Sequence, residues 1–234
     1  MKREYWVGML PFYLLVMIVF IGIAKGGSKT VTVINEKLPP EREHTIVIDA
    51  GHGGVDGGAT SCSGVLESTI NLKFAKKLND LLHLLGYETT MIRTTDTSIY
   101  TEGESIAAKK VSDLKERVRI VNETKGAILI SLHQNTFPSS IYGGPQVFYA
   151  KNEESRELAS QMQTALKAAL MPSSKRQCKK ASGIYLMENI DATGILIECG
   201  FLTNPEEEAK LRSEDYQKNF CCVIASTLSN FLNT

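Results

Sequence analysis

The sequence predicts an α/β fold: a three-layer α/β/α sandwich with a mostly parallel or mixed central sheet, preceded by an N-terminal hydrophobic export segment. Three observations carry this. Short apolar or β-branched runs alternate with longer segments whose apolar residues recur at helical spacing. One run, Ala127-Ile128-Leu129-Ile130-Ser131-Leu132, is apolar toward both faces, as a strand covered by helices on both sides requires. A glycine-rich loop follows directly on the first run, and in open α/β sheets ligands collect beyond the carboxyl ends of the strands.

The N-terminus stands apart from this domain. Met1-Lys2-Arg3 is basic, and Tyr5 to Ala24 carries no ionised side chain over about 20 residues, enough to cross a hydrocarbon core of roughly 30 Å. A buried core helix has no need of such unbroken apolarity. Gly22-Ile23-Ala24 is compatible with signal cleavage, but the run exceeds the ~7–15 residues of a signal peptide core, which favours an uncleaved anchor. The basic flank then stays inside, and the rest is exported, joined to the membrane through this segment. Residues 1–24 are thus a signal peptide or anchor. Residues 25–43, with Gly26-Gly27 and Pro39-Pro40, read as a linker, and the domain occupies 44–234.

Within it, Thr45-Ile46-Val47-Ile48 predicts the first strand. Ser68 is placed as the N-cap of a helix to about Leu85, with Ile70, Phe74, Leu78, Leu81, Leu82 and Leu85 as its stripe and Gly86 as its stop. Tyr87 to Arg93 is a second strand. Asp113 and Glu116 have capping-box spacing for a second helix, whose Leu114, Val118 and Val121 face inward before Gly126 ends it. The strand from Ala127 ends at His133, and a fourth covers Gln146 to Ala150. A third helix presents Leu158, Met162, Ala165, Leu166 and Ala169 on one face. The basic run Lys175 to Lys180 is either a solvated loop or a contact for an acidic polymer. Gly194 to Glu198 is the last strand. Asn204-Pro205-Glu206-Glu207 starts a helix, and Phe220, Val223, Ile224, Thr227, Leu228 and Phe231 dock the final one.

Charge and cysteine content narrow the partners. Lys+Arg and Asp+Glu both total 26, so net charge gives no reason to expect nucleic acid or an anionic membrane surface as a ligand. The 5 cysteines cannot all pair within one chain and form no CxxC pattern, which argues against a disulfide framework while leaving room for one bridge. Adjacent Cys221 and Cys222 read as small packing residues.

Four side chains stand out by position. His52 and His133 each end a hydrophobic strand, Glu67 closes the glycine loop, and Glu198 ends Ile195-Leu196-Ile197. If these strands are parallel neighbours, all four meet at one rim. Two histidines and a carboxylate are the ligand set of a catalytic zinc that keeps a fourth position for water, which leaves Glu198 as the base. A carboxylate between Ile197 and Phe201 is costly to bury unless paired or used. His44 lies at the wrong end of the first strand and His83 on the polar face of the first helix, so neither is expected to ligate.

GHGG at Gly51 to Gly54, Glu67 after Gly64-Val65-Leu66, SLHQN at Ser131 to Asn135, and IECGFLTNPEE at Ile197 to Glu207 together resemble the zinc-dependent N-acetylmuramoyl-L-alanine amidases. The resemblance runs from about Thr45 to the end. It implies Zn2+ on His52, Glu67 and His133, with Glu198 as the catalytic glutamate hydrolysing the bond between N-acetylmuramic acid and L-alanine of peptidoglycan. Arg93, in TMIR, and Leu114 to Val118 match secondary features with structural or substrate-positioning roles; Asn135 joins Arg93 as a candidate substrate-binding residue. A compact domain behind an export segment, with no wall-binding repeat, looks like the sporulation-type amidases that trim spore cortex on the route to muramic lactam. Gln134 and Asp191 to Gly194 depart from the usual pattern. Asn135 to Gln146 is too short for the helix with which some members inhibit themselves, so any restraint on activity is expected from a separate protein. Two other readings of the residues are a zinc peptidase or deacetylase and a wall-binding protein with a structural metal.

Overall fold

The structure, a computed structural model, describes residues 44–233, so the predicted export segment and linker lie outside the described residues. Its strands are β1 (Thr45–Ala50), β2 (Glu88–Met91), β3 (Ala127–Asn135), β4 (Gln146–Tyr149), β5 (Lys179–Lys180) and β6 (Thr193–Phe201). They form one sheet in the order β2-β1-β3-β6-β4-β5. β2, β1, β3 and β6 are mutually parallel, whereas β4 runs antiparallel to β6 and carries β5 parallel to itself. The sheet is therefore mixed.

Among the described residues six helices cover it: α1 (Glu67–Leu84), α2 (Ile106–Glu123), α3 (Glu153–Leu170), α4 (Tyr185–Asn189), α5 (Pro205–Arg212) and α6 (Glu214–Leu232). Because strand side chains alternate between faces, the sheet builds two cores. Ile46, Ile48, Ile130, Leu132 and Ile197 meet Phe74 and Leu78 of α1, Leu158 and Met162 of α3, and Phe220 and Ile224 of α6. Phe74 and Phe220 meet edge to face at 5.4 Å. On the other face, Val47, Leu129 and Leu196 meet Val121 of α2 and Leu186 and Met187 of α4. This second layer is thinner, and the carboxyl ends of the parallel strands open beside it.

Several boundaries differ from expectation. α1 begins at Glu67 and its N-cap Leu66 makes no side-chain bond, so Ser68 is a buried helical residue and not a cap. α2 begins seven residues before Asp113, at Ile106, with Ser105 accepting from the Ala108 amide. Asp113 instead accepts from the Ile99 amide and pairs with Arg117. Ala169 is exposed on α3. The C-terminal helical stretch is broken at Ser213 into α5 and α6; Asn204 caps α5 through the Glu206 and Glu207 amides, with Pro205 at its first position, as its sequence predicts.

All five cysteines are free, and of the adjacent pair Cys221 is buried while Cys222 is exposed. Part of the basic run acquires a backbone role: Lys179 and Lys180, both exposed, form the edge strand β5 against Phe148 and Tyr149. Arg176 lies over the Phe201 ring at 5.0 Å.

Candidate active site

The site begins where β1 stops. A Cβ on Gly51 would fall 2.2 Å from the His133 ring, so only glycine lets that imidazole close over the turn. His52 follows with φ 60°, the one left-handed non-glycine backbone among the described residues, a conformation costing about 1–2 kcal/mol. Two buried arginines hold it there. Arg117 donates to the His52 carbonyl at 2.8 Å and to that of Ala50 at 3.1 Å. Arg93 donates to the carbonyls of Ala50, Gly51 and Ser68 at 2.7, 3.0 and 2.8 Å. Arg117 is itself fixed by Asp49 and, at 2.6 Å, by Asp113, and Ser131 donates to Asp49 at 2.7 Å.

Glu67, the first residue of α1, points back into this turn. Its Oε1 lies 3.1 Å from His133 Nδ1 and its Oε2 3.3 Å from His52 Nε2. The Gln134 and Ala59 amides donate to it at 3.1 and 3.0 Å, and Asn71 Nδ2 at 3.2 Å. A Cβ on Gly58 would stand 2.7 Å from both Glu67 and His52, so the loop's close approach needs glycine there too. One donor atom from each of His52, Glu67 and His133 lies within 4.8 Å of the other two, a spacing that can hold a metal ion. His52 Nδ1 donates to Asp56 at 2.9 Å, which leaves Nε2 for the metal and fixes the ring. Burial opposes charge on the His52 ring, but Glu67 and Asp56 outweigh it and raise its pKa. Burial likewise favours the neutral Glu67 acid, yet the two histidines hold it far below the usual carboxylate range.

Glu198 stands beside His133 in the β3–β6 register, facing the same side of the sheet. Its Oε2 is buried with no hydrogen-bond partner. Burial, opposed by His133 and His52 and reinforced by Glu67, pushes its carboxyl up to about 7. The cleft over it is walled by Lys110 and Leu114 of α2, Ile184 to Leu186, and the two histidines.

The structure thus brings His52, Glu67, His133 and Glu198 together, as the strand ends and the close of the glycine loop predict. Arg93 takes the structural of its two predicted roles, because its buried guanidinium is occupied by backbone carbonyls. Asn135 is half-buried at the end of β3, with its carbonyl accepting from Leu202. His44 and His83 are exposed, His83 against Thr89 at 2.5 Å. Sequence reasoning missed Asp49, Asp56, Asn71 and Lys110. The signals were there in part: Asp56 follows His52 by four residues within the loop, and Asp113 and Arg117 have helical i,i+4 ion-pair spacing.

Two imidazoles and a carboxylate at a cleft, beside an acid whose Oε2 is buried and which no lysine or arginine of the described residues pairs with, are the donor chemistry of a metal-dependent hydrolase. Residues 46–230 match the family model described as N-acetylmuramoyl-L-alanine amidase, and the chain belongs to that family. A germination-specific N-acetylmuramoyl-L-alanine amidase of Bacillus subtilis is 38% identical over 174 residues, 74% of this chain and 73% of the relative. The amidase LytC of the same organism is 29% identical over 201 residues, which span 85% of this chain but 37% of LytC. Among solved structures, the CwlD amidase from Clostridioides difficile, in complex with the GerS lipoprotein, superposes with a TM-score of 0.78 at 34% identity, covering 81% of this chain and 98% of that one. The activity is hydrolysis of the amide that joins N-acetylmuramic acid to L-alanine in peptidoglycan.

Proposed function

We propose that His52, Glu67 and His133 hold zinc, that Glu198 is the catalytic base and acid, and that the chain acts outside the cytoplasmic membrane on spore cortex peptidoglycan. The observation that carries the assignment of roles is Glu198 Oε2, buried and unpartnered next to His133. A structural carboxylate in that position would need a cation, and among the described residues no lysine or arginine pairs with it. Zinc bound by the three donors supplies polarisation of the scissile carbonyl and a lowered pKa for the attacking water.

Glu198 takes a proton from that water as it attacks and delivers it to the amine nitrogen of L-alanine as the C–N bond breaks. A carboxyl lifted to about 7 by burial suits both halves of that transfer near neutral pH. Asp56 keeps the His52 proton on Nδ1, and Arg117 and Arg93 hold the turn that presents the ring. Asn135, two residues beyond His133 at the end of β3, is the proposed substrate contact.

The cortex assignment is supported by the germination-specific relative, and the extracellular one by the apolar segment from Tyr5 to Ala24. A separate regulatory protein is supported by the lipoprotein complex of the Clostridioides difficile relative and by residues 136–145, which form a loop with no helix. One experiment tests the set: zinc-loaded protein is incubated with cortex peptidoglycan, with and without extract of sporulating cells, and products are read by mass spectrometry. Stem peptides beginning with L-alanine should appear, faster with extract. Glu198→Gln should keep its zinc and lose about 10²–10⁴ in rate. Loss of zinc in that variant would make Glu198 a ligand, peptides cut elsewhere would make the enzyme a peptidase, and full activity unaffected by extract would remove the partner.

A further inference from the structure

The cleft carries one charge arrangement that the hydrolytic chemistry leaves unused. Of the cations lining it, Arg117 is buried and committed to Asp49, Asp113 and the carbonyls of Ala50 and His52. Lys110 is different. It projects from α2 with a side chain 50% exposed, and its Nζ lies 3.2 Å from Asp56 Oδ2. Asp56 is also bonded to His52 at 2.9 Å, so the ammonium sits one carboxylate removed from the proposed metal site.

Beyond the two histidines of the ligand set and Tyr185, the rest of the lining is largely acidic, with Asp56 and Glu198 and the Arg117-paired Asp49 and Asp113, or apolar, with Leu114 and Leu196. Away from the metal ligands, Lys110 is the lining cation whose side chain is half exposed and can meet an anionic substrate group. A half-exposed ion pair such as Lys110–Asp56 holds weakly and exchanges partners easily. Asp56 would not be stranded by the exchange, because it keeps His52.

We propose that Lys110 is a specificity-determining residue, pairing with a free carboxylate on the residue that follows L-alanine in the stem peptide. Lys110 reaches the His52 ring through a single carboxylate, by contacts of 3.2 and 2.9 Å, a path on the scale of two residues of extended peptide at about 3.3–3.6 Å each. Stems whose carboxylate is amidated lose that contact. The inference rests on the amidase reading of the site.

The test compares two probes on zinc-loaded enzyme, N-acetylmuramoyl-L-alanyl-D-glutamyl peptide and its D-isoglutaminyl amide. The native enzyme should favour the acid by about tenfold in kcat/KM, mainly through KM, the size expected for one charge-assisted contact. Lys110→Met should abolish the preference and Lys110→Glu should invert it, with zinc content equal to native in both. Binding of the same probes to zinc-loaded Glu198→Gln, followed by calorimetry, should show the same tenfold preference without turnover. Equal kcat/KM for the two probes with the native enzyme overturns the role of Lys110 and leaves the amidase standing. Loss of zinc from Lys110→Met in step with activity overturns it as well, by making the residue a support for Asp56. Cleavage of neither probe, nor of peptidoglycan, removes the amidase reading and this proposal together.

Discussion

Ser68 shows how one side chain can mislead by its address. It follows Glu67 and precedes an apolar stripe, which is where a capping hydroxyl belongs, yet the helix has already started and the hydroxyl is buried with no hydrogen-bond partner. Ser68→Ala should therefore stabilise the protein, by about 1 kcal/mol from the relieved hydroxyl and the better helix former. A thermal melt reads this directly, and a lower melting temperature would show that the hydroxyl caps after all. Glu67 explains the shift. It serves as the first helical residue so that its carboxylate can reach His52 and His133, and a site constraint of that kind leaves no trace in local propensity. His52, His133 and Glu198 were legible because strand ends are visible as breaks in apolar runs. Asp56, Asp49 and Asn71 were not, because a polar residue in a glycine loop, near a strand's end or in a helix looks the same whether it faces water or a buried partner.

At the scale of elements, α2 is tied to β1 by charge more than by apolar contact. Asp49 is buried between Ser131 and Arg117, and burial alone would raise its pKa, but the Arg117 guanidinium overrides it and lowers the pKa below the ordinary value. A carboxyl depressed in the folded state stabilises fully above its unfolded pKa of about 3.9, and the contribution is lost as pH falls toward the folded value. Asp49→Asn should thus cost about 3 kcal/mol at pH 7, by leaving Arg117 half-paired in the interior, and should flatten the loss of stability below about pH 4. Denaturant melts of both proteins across pH would check it; parallel pH curves would mean that Asp49 is not the titrating group. The start of α2 escaped sequence reading for a related reason. Its first turns, from Ile106 to Lys110, are largely exposed and give no periodic stripe, while Asp113 and Glu116 imitate a capping box inside the helix. The direction of β4 was equally hidden, since a four-residue apolar strand reads the same in either orientation.

For the whole molecule, the two faces of the sheet divide the labour. α1, α3 and α6 bury the larger core, and the thinner cover of α2 and α4 leaves the strand ends open at the cleft. The alternating pattern of strands and helices made this architecture readable, because period 2 and period 3.6 separate cleanly once each run is several residues long. If residues 1–24 anchor the chain, the full-length protein should sediment with membranes and resist salt extraction, whereas a chain beginning at Thr30 should be soluble and equally active on isolated peptidoglycan. A shortened chain recovered in the soluble fraction would speak for a cleaved signal instead. One edge of the sheet carries a last implication. β5 is two residues long, and both are exposed lysines. A strand from another molecule that approached there would find a ladder too short to register and would have to lie between two ammonium groups. Many copies crowded onto one layer of wall therefore have no template at this edge for growing into shared sheets.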